Sequence, residues 1–175
     1  MANFVYIATS LDGHIATLDG GIEWLTEIPN PANSDYGFAE FMNSIDALVM
    51  GRKTYETVLT FDQWPYTKRV FVLSNTLKTV APTLRDKAEI INGELKNILT
   101  TLHERGFKNL YIDGGKTIQG FLKENLIDEL IVTKIPIILG DGIPLFQRQN
   151  NSIMFRHYST TIYNDSLVKS HYKRA

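Results

Sequence analysis

Short apolar runs alternate with helical patterns along the first three quarters of the chain, and this alternation constrains the fold most. Strand-like runs lie at 4–9, 47–50, 70–73, 89–91 and 110–112, and helical patterns lie at 35–45, 53–59, 94–105 and 116–123. Later segments are strand-like, at 128–136, 153–163 and 167–172, with a predicted hairpin turn at 164–166. This order predicts an α/β fold, with a largely parallel sheet and antiparallel strands at its C-terminal edge.

Composition fits one domain over residues 1–175 and excludes several kinds of site. The formal net charge of -1 provides no global basic field for nucleic acid or an anionic membrane surface. Cysteine is absent and the four histidines show no metal-ligand spacing, so we expect no metal. The longest apolar run, near 135–139, is too short to span a membrane, and the N-terminus lacks a basic signal region. We therefore expect a cytoplasmic protein.

One strand-like run stops at Gly51 and turns directly into a helix that begins Arg52-Lys53-Thr54. The N-terminus of a helix presents unpaired N–H groups and attracts phosphate. Gly51 allows a close approach of backbone to ligand, and Arg52 can fork two phosphate oxygens. The segment predicts a phosphate-rich cofactor, although a plain strand–helix corner with a solvated Arg-Lys pair fits it equally well.

Two other strand ends carry residues suited to the same chemistry. Ser74 and Asn75 follow the run at 70–73 and can bond sugar or phosphate oxygens, or form a local polar turn. Gly114 and Gly115 precede Lys116-Thr117 at a helix start, where backbone can approach a pyrophosphate. The dinucleotide fingerprint GxGxxG is absent, which argues against a Rossmann domain.

The order of these motifs resembles that of the dihydrofolate reductase-like superfamily, near the reductase domain of riboflavin biosynthesis. The matching segments are IATSLDGHIA at 7–16, VMGRKTYE at 49–56, LSN at 73–75, GGK at 114–116, IDEL at 127–130 and LGDGIPLF at 139–146. The resemblance implies a three-layer fold, in which a mostly parallel sheet of about eight strands has helices on both faces. It also implies NADPH as cofactor, a small heterocyclic substrate and a homodimer.

The resemblance assigns cofactor contacts position by position. Arg52, Lys53 and Thr54 match phosphate contacts, with Ser74 and Asn75 beside the adenosine 2′-phosphate. Gly114 and Gly115 match a glycine pair over the pyrophosphate that is often joined by a cis peptide. Main-chain groups of Ala8 and Ile15 match the positions that hold the nicotinamide carboxamide. The remaining expected cofactor contacts are Gly51, Lys116 and Thr117.

Asp35 is the leading candidate for a catalytic carboxylate. It stands 16 residues before Gly51, as does the helix-borne substrate carboxylate of dihydrofolate reductases, and Thr133 matches the threonine bonded to that carboxylate. An N-cap role after Asn33-Ser34 is the alternative for Asp35. Asp12 is the rival carboxylate, because the riboflavin-type motif also carries aspartate there; its alternative is a turn with Gly13.

Two aromatic residues are candidates for the substrate side of the site. Trp24 matches the tryptophan of the loop that covers the nicotinamide, with a hydrophobic anchor as the alternative. Phe38 belongs to an aromatic helical stripe that is mostly core, with one member facing substrate.

The resemblance implies an NADPH-dependent reductase that transfers hydride to a C=N bond of a pterin or pyrimidine. The first alternative is 5-amino-6-(5-phosphoribosylamino)uracil reductase activity in riboflavin biosynthesis. Against it, the arginine-rich helix of those reductases is missing, since Glu40 is the only charged residue in 36–45. The second alternative is a dinucleotide-binding module without efficient catalysis.

Overall fold

One eight-stranded sheet organises the computed structural model, which describes residues 1–175. Its strands are β1 (Ala2–Thr9), β3 (Ala47–Gly51), β4 (Arg69–Leu73), β5 (Ala88–Ile91), β6 (Asn109–Asp113), β7 (Glu129–Lys134), β9 (Phe155–Tyr163) and β10 (Leu167–Arg174). The spatial order is β5-β4-β3-β6-β1-β7-β10-β9. The first six of these are mutually parallel, while β10 runs antiparallel to both β7 and β9. The predicted parallel sheet with an antiparallel C-terminal hairpin is confirmed.

Helices cover both faces of the parallel part of the sheet, as predicted. They are α1 (Phe38–Ser44), α2 (Arg52–Val58), α3 (Leu95–Glu104) and α4 (Gly115–Lys123). Buried side chains of α1 and α2 join one hydrophobic core, and those of α3 and α4 join another on the opposite face. The central strands are apolar on both faces because both are covered: β3 is buried from Ala47 through Met50. None of the helices is long and apolar enough to cross a bilayer.

Three local features differ from the sequence prediction. Helix α1 begins at Phe38 rather than at residue 35, because Tyr36 and Gly37 have left-handed backbone with φ of 54° and 84°. Strand β9 begins at Phe155, two residues later than predicted. A second, two-stranded sheet joins β2 (His14–Ala16) to β8 (Ile143–Pro144) and was not predicted, because strands this short carry no periodic pattern.

Candidate functional site

The carboxyl ends of β3 and β6 are neighbours in the sheet and bring the predicted glycines and threonines together. A Cβ atom added to Gly51 would lie 2.7 Å from the Thr117 hydroxyl, and one added to Gly114 would collide with the Thr54 hydroxyl. A Cβ atom on Gly115 would lie 2.6 Å from the Ile15 side chain. A side chain at Gly51 or Gly115 would have to displace the Thr117 or Ile15 side chain, and Gly114 also has left-handed backbone, so the two strand ends and their helix starts form one cradle.

Helices α2 and α4 both begin at this cradle without a side-chain cap. The N–H groups of their first turns have no partner within the helix and point beyond the strand ends, where an anion can accept them. Lys53 and Lys116 are exposed beside them, and Arg52 pairs with Glu56 at 3.2 Å on the surface of α2. No peptide bond in the chain is cis, so the cis peptide implied between the paired glycines is wrong.

The other predicted cofactor residues lie at two further strand ends. Ser74 and Asn75 follow β4 and line a cavity together with Asn92, Gly93 and hydrophobic residues. The Ser74 hydroxyl accepts N–H groups two and three residues later, at 3.2 and 2.9 Å, so it also forms a local turn. Ala8 is half-buried near the end of β1.

Asp35 lies at the surface, where its carboxylate caps the start of α1. The two carboxylate oxygens accept the N–H groups of Gly37 and Ala39, each at 2.9 Å. These bonds hold the pKa of Asp35 below its ordinary value. Thr133 is buried on β7 and shares no hydrogen bond with Asp35. The capping alternative therefore describes the observed contacts, and the catalytic role of this pair stays a prediction.

Asp12 joins two loops that lie far apart in the sequence. Its carboxylate accepts the Ser10 hydroxyl at 2.5 Å and the N–H groups of Leu139 and Gly140 at 3.2 and 2.8 Å. His14 Nδ1 lies 3.3 Å from the same carboxylate. The Ser10 bond first, and then the two backbone bonds, hold the pKa of Asp12 well below its usual range. Its oxygens are thus engaged within the protein, and contact of this exposed carboxylate with a substrate stays a prediction.

The two predicted aromatic residues have different surroundings. Trp24 is buried with Ile135 and Leu167, and its indole N–H has no hydrogen-bond partner. It anchors the long connection after β2 to the sheet. Phe38 is half-buried on α1, with its ring centroid 5.7 Å from that of Tyr6 in an edge-on arrangement. Substrate contact by either side chain stays a prediction.

Asp113 is a carboxyl group at this edge that sequence reasoning did not select. It ends β6, immediately before the paired glycines, and its carboxylate accepts the N–H group of Gly114 at 2.8 Å. Burial raises the pKa of Asp113, although this N–H group and the nearby hydroxyls of Tyr111 and Tyr66 oppose the rise. The arrangement is suited to holding a proton beside the cradle. Nowhere do three or more His, Cys, Asp or Glu side chains cluster in a way that could hold a metal ion.

The sequence matches the family model of the RibD C-terminal domain over residues 4–168. The chain belongs to the RibD C-terminal domain family. Within this reductase-type group it is 35% identical over 174 residues to the uncharacterized protein YwjB of Bacillus subtilis (strain 168), which covers 98% of this chain and 97% of YwjB. A Shewanella sp. PV-4 protein, provisionally described as a riboflavin biosynthesis protein, has 50% identity and a TM-score of 0.96, covering 100% of this chain and 99% of that one.

More distant structures share the fold of this RibD-type domain. A Thermotoga maritima diaminohydroxyphosphoribosylaminopyrimidine deaminase/5-amino-6-(5-phosphoribosylamino)uracil reductase is 18% identical, with a TM-score of 0.73 over 99% of this chain and 56% of that one. Dihydrofolate reductase from Enterococcus faecalis, in a complex with NADP(H), is 16% identical, with a TM-score of 0.68 over 99% of this chain and 96% of that one. The fold is therefore that of dihydrofolate reductase, as the sequence motifs predicted.

Proposed function

We propose that the protein is an NADPH-dependent reductase that transfers hydride to a C=N bond in a pterin or pyrimidine. The observation that carries this proposal is the pair of uncapped helix starts, α2 and α4, beside the glycines of β3 and β6. Two adjacent sets of open N–H groups suit the linked phosphates of a dinucleotide better than a single small anion. Relatives named as reductases support the same reading.

The residues of the cradle fit NADPH in one orientation. The N–H groups at Gly115 and at Arg52 would hold the pyrophosphate, and the cavity at Ser74 and Asn75 would take the adenosine 2′-phosphate. Backbone groups of Ala8 and Ile15 would fix the nicotinamide carboxamide. When bound, NADPH supplies the hydride; the protein holds the ring against the substrate and excludes water.

Of the three carboxyl groups considered at this edge, Asp113 is the one whose surroundings favour the protonated form. Reduction of a C=N bond adds a proton to nitrogen as well as a hydride to carbon, so a proton donor is needed beside the substrate. Burial raises the pKa of Asp113, whereas hydrogen bonds lower the pKa values of Asp35 and Asp12. We propose that Asp113 protonates the substrate and that Asp35, with Thr133, helps to orient it.

A phosphoribosylaminopyrimidine is the second candidate substrate, favoured by membership of the RibD family. The surroundings of α1 support a substrate without phosphate instead. Its sequence carries no cation, and nearby Lys169 already donates to the Tyr36 carbonyl at 2.9 Å and lies over the Tyr163 ring at 5.0 Å. We further expect the enzyme to act in the cytoplasm as a homodimer.

The experiment measures cofactor binding and turnover separately. NADPH is titrated by fluorescence, and then dihydrofolate or the phosphoribosylaminouracil is added while NADPH absorbance is followed. We expect tighter binding of NADPH than of NADH and oxidation on adding one of the two substrates. Failure to bind NADPH would refute the proposal, and binding of NADPH without its oxidation in the presence of either substrate would indicate a binding module.

Two asparagine variants then test the proton donor. Asp113→Asn is expected to reduce kcat by about a hundredfold or more while the NADPH dissociation constant stays nearly constant. Asp35→Asn is the comparison variant: asparagine keeps one of the two oxygens that accept the N–H groups of Gly37 and Ala39, and a residue that only orients the substrate should lose less of kcat. A larger loss of kcat in Asp35→Asn than in Asp113→Asn would reverse the assignment.

A further inference from the structure

The two edges of the main sheet differ in how they are protected. At one edge, β5 has four residues, and Glu89 on it pairs with Arg69 at 3.3 Å and with Arg105 at 2.7 Å. Short edge strands that carry charges resist pairing with another chain. At the other edge, β9 has nine residues, seven of them exposed, and it contains neither lysine nor proline.

The β9–β10 hairpin extends beyond the helical layers. The buried side chains of the four helices pack in the two cores that cover the parallel strands, and β9 hydrogen-bonds to β10 on one side and to no strand on the other. Large apolar side chains along this edge are solvated: Met154 is 74% exposed, Tyr158 63% and Ile162 62%. A long edge with free backbone groups and exposed apolar residues is a typical site of strand pairing.

We propose that β9 pairs antiparallel with β9 of a second copy of this chain, joining the two sheets across a two-fold axis. Charge favours this occupant. Arg156 and His157 lie near the start of β9, and Asp165 lies in the turn just after its end. An antiparallel self-pairing sets the start of each strand against the end of the other. Arg156 and His157 of each copy then lie near Asp165 of the other, and the two-fold axis repeats this favourable contact at both ends of the interface.

The middle of the strand is compatible with the same arrangement. Residues 159–163 carry no charge, so a two-fold axis through them brings no like charges together. The register of β9 against β10 shifts between His171 and Tyr172, beside Tyr158, which limits the regular ladder to Ser159–Tyr163. Threonine, isoleucine and tyrosine predominate in this stretch and suit cross-strand pairs. The proposal locates the interface of the homodimer expected above, and its test needs neither cofactor nor substrate.

Sedimentation of the full chain tests the proposal. We expect twice the 19.9 kDa mass of one chain at micromolar concentration. The double variant Ser159→Lys/Ile162→Lys places charges along the edge and is expected to weaken association at least tenfold. Leu18→Lys is the matched control, because Leu18 is 70% exposed and belongs to the turn after β2 rather than to β9 or β10; it should remain dimeric.

Amide hydrogen exchange of the unmodified protein gives a second measurement that does not depend on variants. Exchange within Ser159–Tyr163 should slow as protein concentration rises, while exchange in β5 should not change. A monomer at the highest soluble concentration would overturn both the homodimer and the interface. A dimer that the double variant leaves intact, or one without protection in β9, would overturn the interface alone and would leave the reductase proposal unaffected.

Discussion

At the scale of single residues, Asp12 links the loop after β1 to the loop after β7. Its carboxylate accepts hydrogen bonds from one hydroxyl and two backbone N–H groups. The two backbone donors lie 127 and 128 residues after Asp12 in the sequence. Leu11 N–H and Leu145 N–H add backbone bonds between the same two loops, at 2.7 and 3.0 Å. The link also fixes Ile15, whose side chain contacts Gly115 at the cradle.

The pKa shift of Asp12 predicts a pH-dependent contribution to stability. Because the folded pKa lies below the unfolded value of about 3.9, the contribution is full at neutral pH and is lost as pH falls toward the folded pKa. We expect Asp12→Asn to lower Tm at pH 7, with a difference from the unmodified protein that shrinks steadily below about pH 4. Thermal unfolding followed by circular dichroism at several pH values measures this.

Asp19→Asn is the matched control for that experiment. Hydrogen bonds from Thr17 and Gly21 also lower the pKa of Asp19, but they lie within one turn and join no other part of the chain. Its effect on Tm at pH 7 should be smaller. Equal effects of the two substitutions would show that the link between the loops contributes nothing.

The sequence offered Asp12 and Asp35 as rival candidate carboxylates but could not show what they contact. The N–H donors to Asp12 come from the distant segment 139–140, and those to Asp35 depend on the left-handed turn at Tyr36 and Gly37. Asp113 was missed for a similar reason. The rise in its pKa depends on burial and on neighbours from other parts of the chain, and no local pattern encodes either.

At the scale of elements, the start of α4 depends on glycine at position 114. Gly114 has φ of 88° and an added Cβ would meet Thr54. Gly106, after α3, has φ of 93° but open space around its Cβ position. Substitutions at the two glycines therefore distinguish two free-energy costs. The cost of left-handed backbone applies at both positions, and the cost of a collision in the cradle applies only at Gly114.

We expect Gly106→Ala to destabilise the protein by about 1–2 kcal/mol through its backbone alone. Gly114→Ala should cost more and should also weaken NADPH binding at least tenfold, because the collision moves the N–H groups of α4. Chemical denaturation and NADPH titration of both variants measure these effects. Unchanged NADPH affinity in a folded Gly114→Ala protein would contradict the proposal that the cradle binds the cofactor.

Elements with a strong local pattern were predicted closely. The four helices and the eight strands of the main sheet lie within a few residues of their predicted bounds, because apolar periodicity and capping glycines are local signals. The hairpin turn was also predicted, and Asn164 and Asp165 there have left-handed φ of 52° and 49°. Strands β2 and β8 exist only through their pairing with each other, so their sequences alone carry no signal.

At the scale of the whole molecule, we expect the chain to unfold as a single domain. The two large cores lie on opposite faces of one sheet, so disrupting the strands to unfold one core would also expose the other core. Trp24 reports on the small cluster near β10, and half-buried Trp64 packs against Tyr55 of α2. In Trp24→Phe and in Trp64→Phe, the fluorescence of the remaining tryptophan and the far-ultraviolet circular dichroism should give coincident denaturation curves.

A fluorescence transition of Trp24 at lower denaturant than the circular dichroism transition of the same variant would contradict this. It would show that the connection after β2 detaches before the sheet unfolds.

The class of fold was predictable from the alternation of elements and the motif order, whereas the strand order was not. The position of β6 between β3 and β1 depends on contacts between residues far apart in the sequence, which form only when the complete chain packs.

The central position of β1 sets an order of events during protein synthesis. β1 is the first strand to leave the ribosome, yet its neighbours β6 and β7 begin about a hundred residues or more later. At about 5–20 residues per second, translation leaves this apolar strand unpaired for roughly 5–20 s. Strands β3, β4 and β5 can pair with one another in that interval, so β1 precedes them along the chain yet completes its pairing after them.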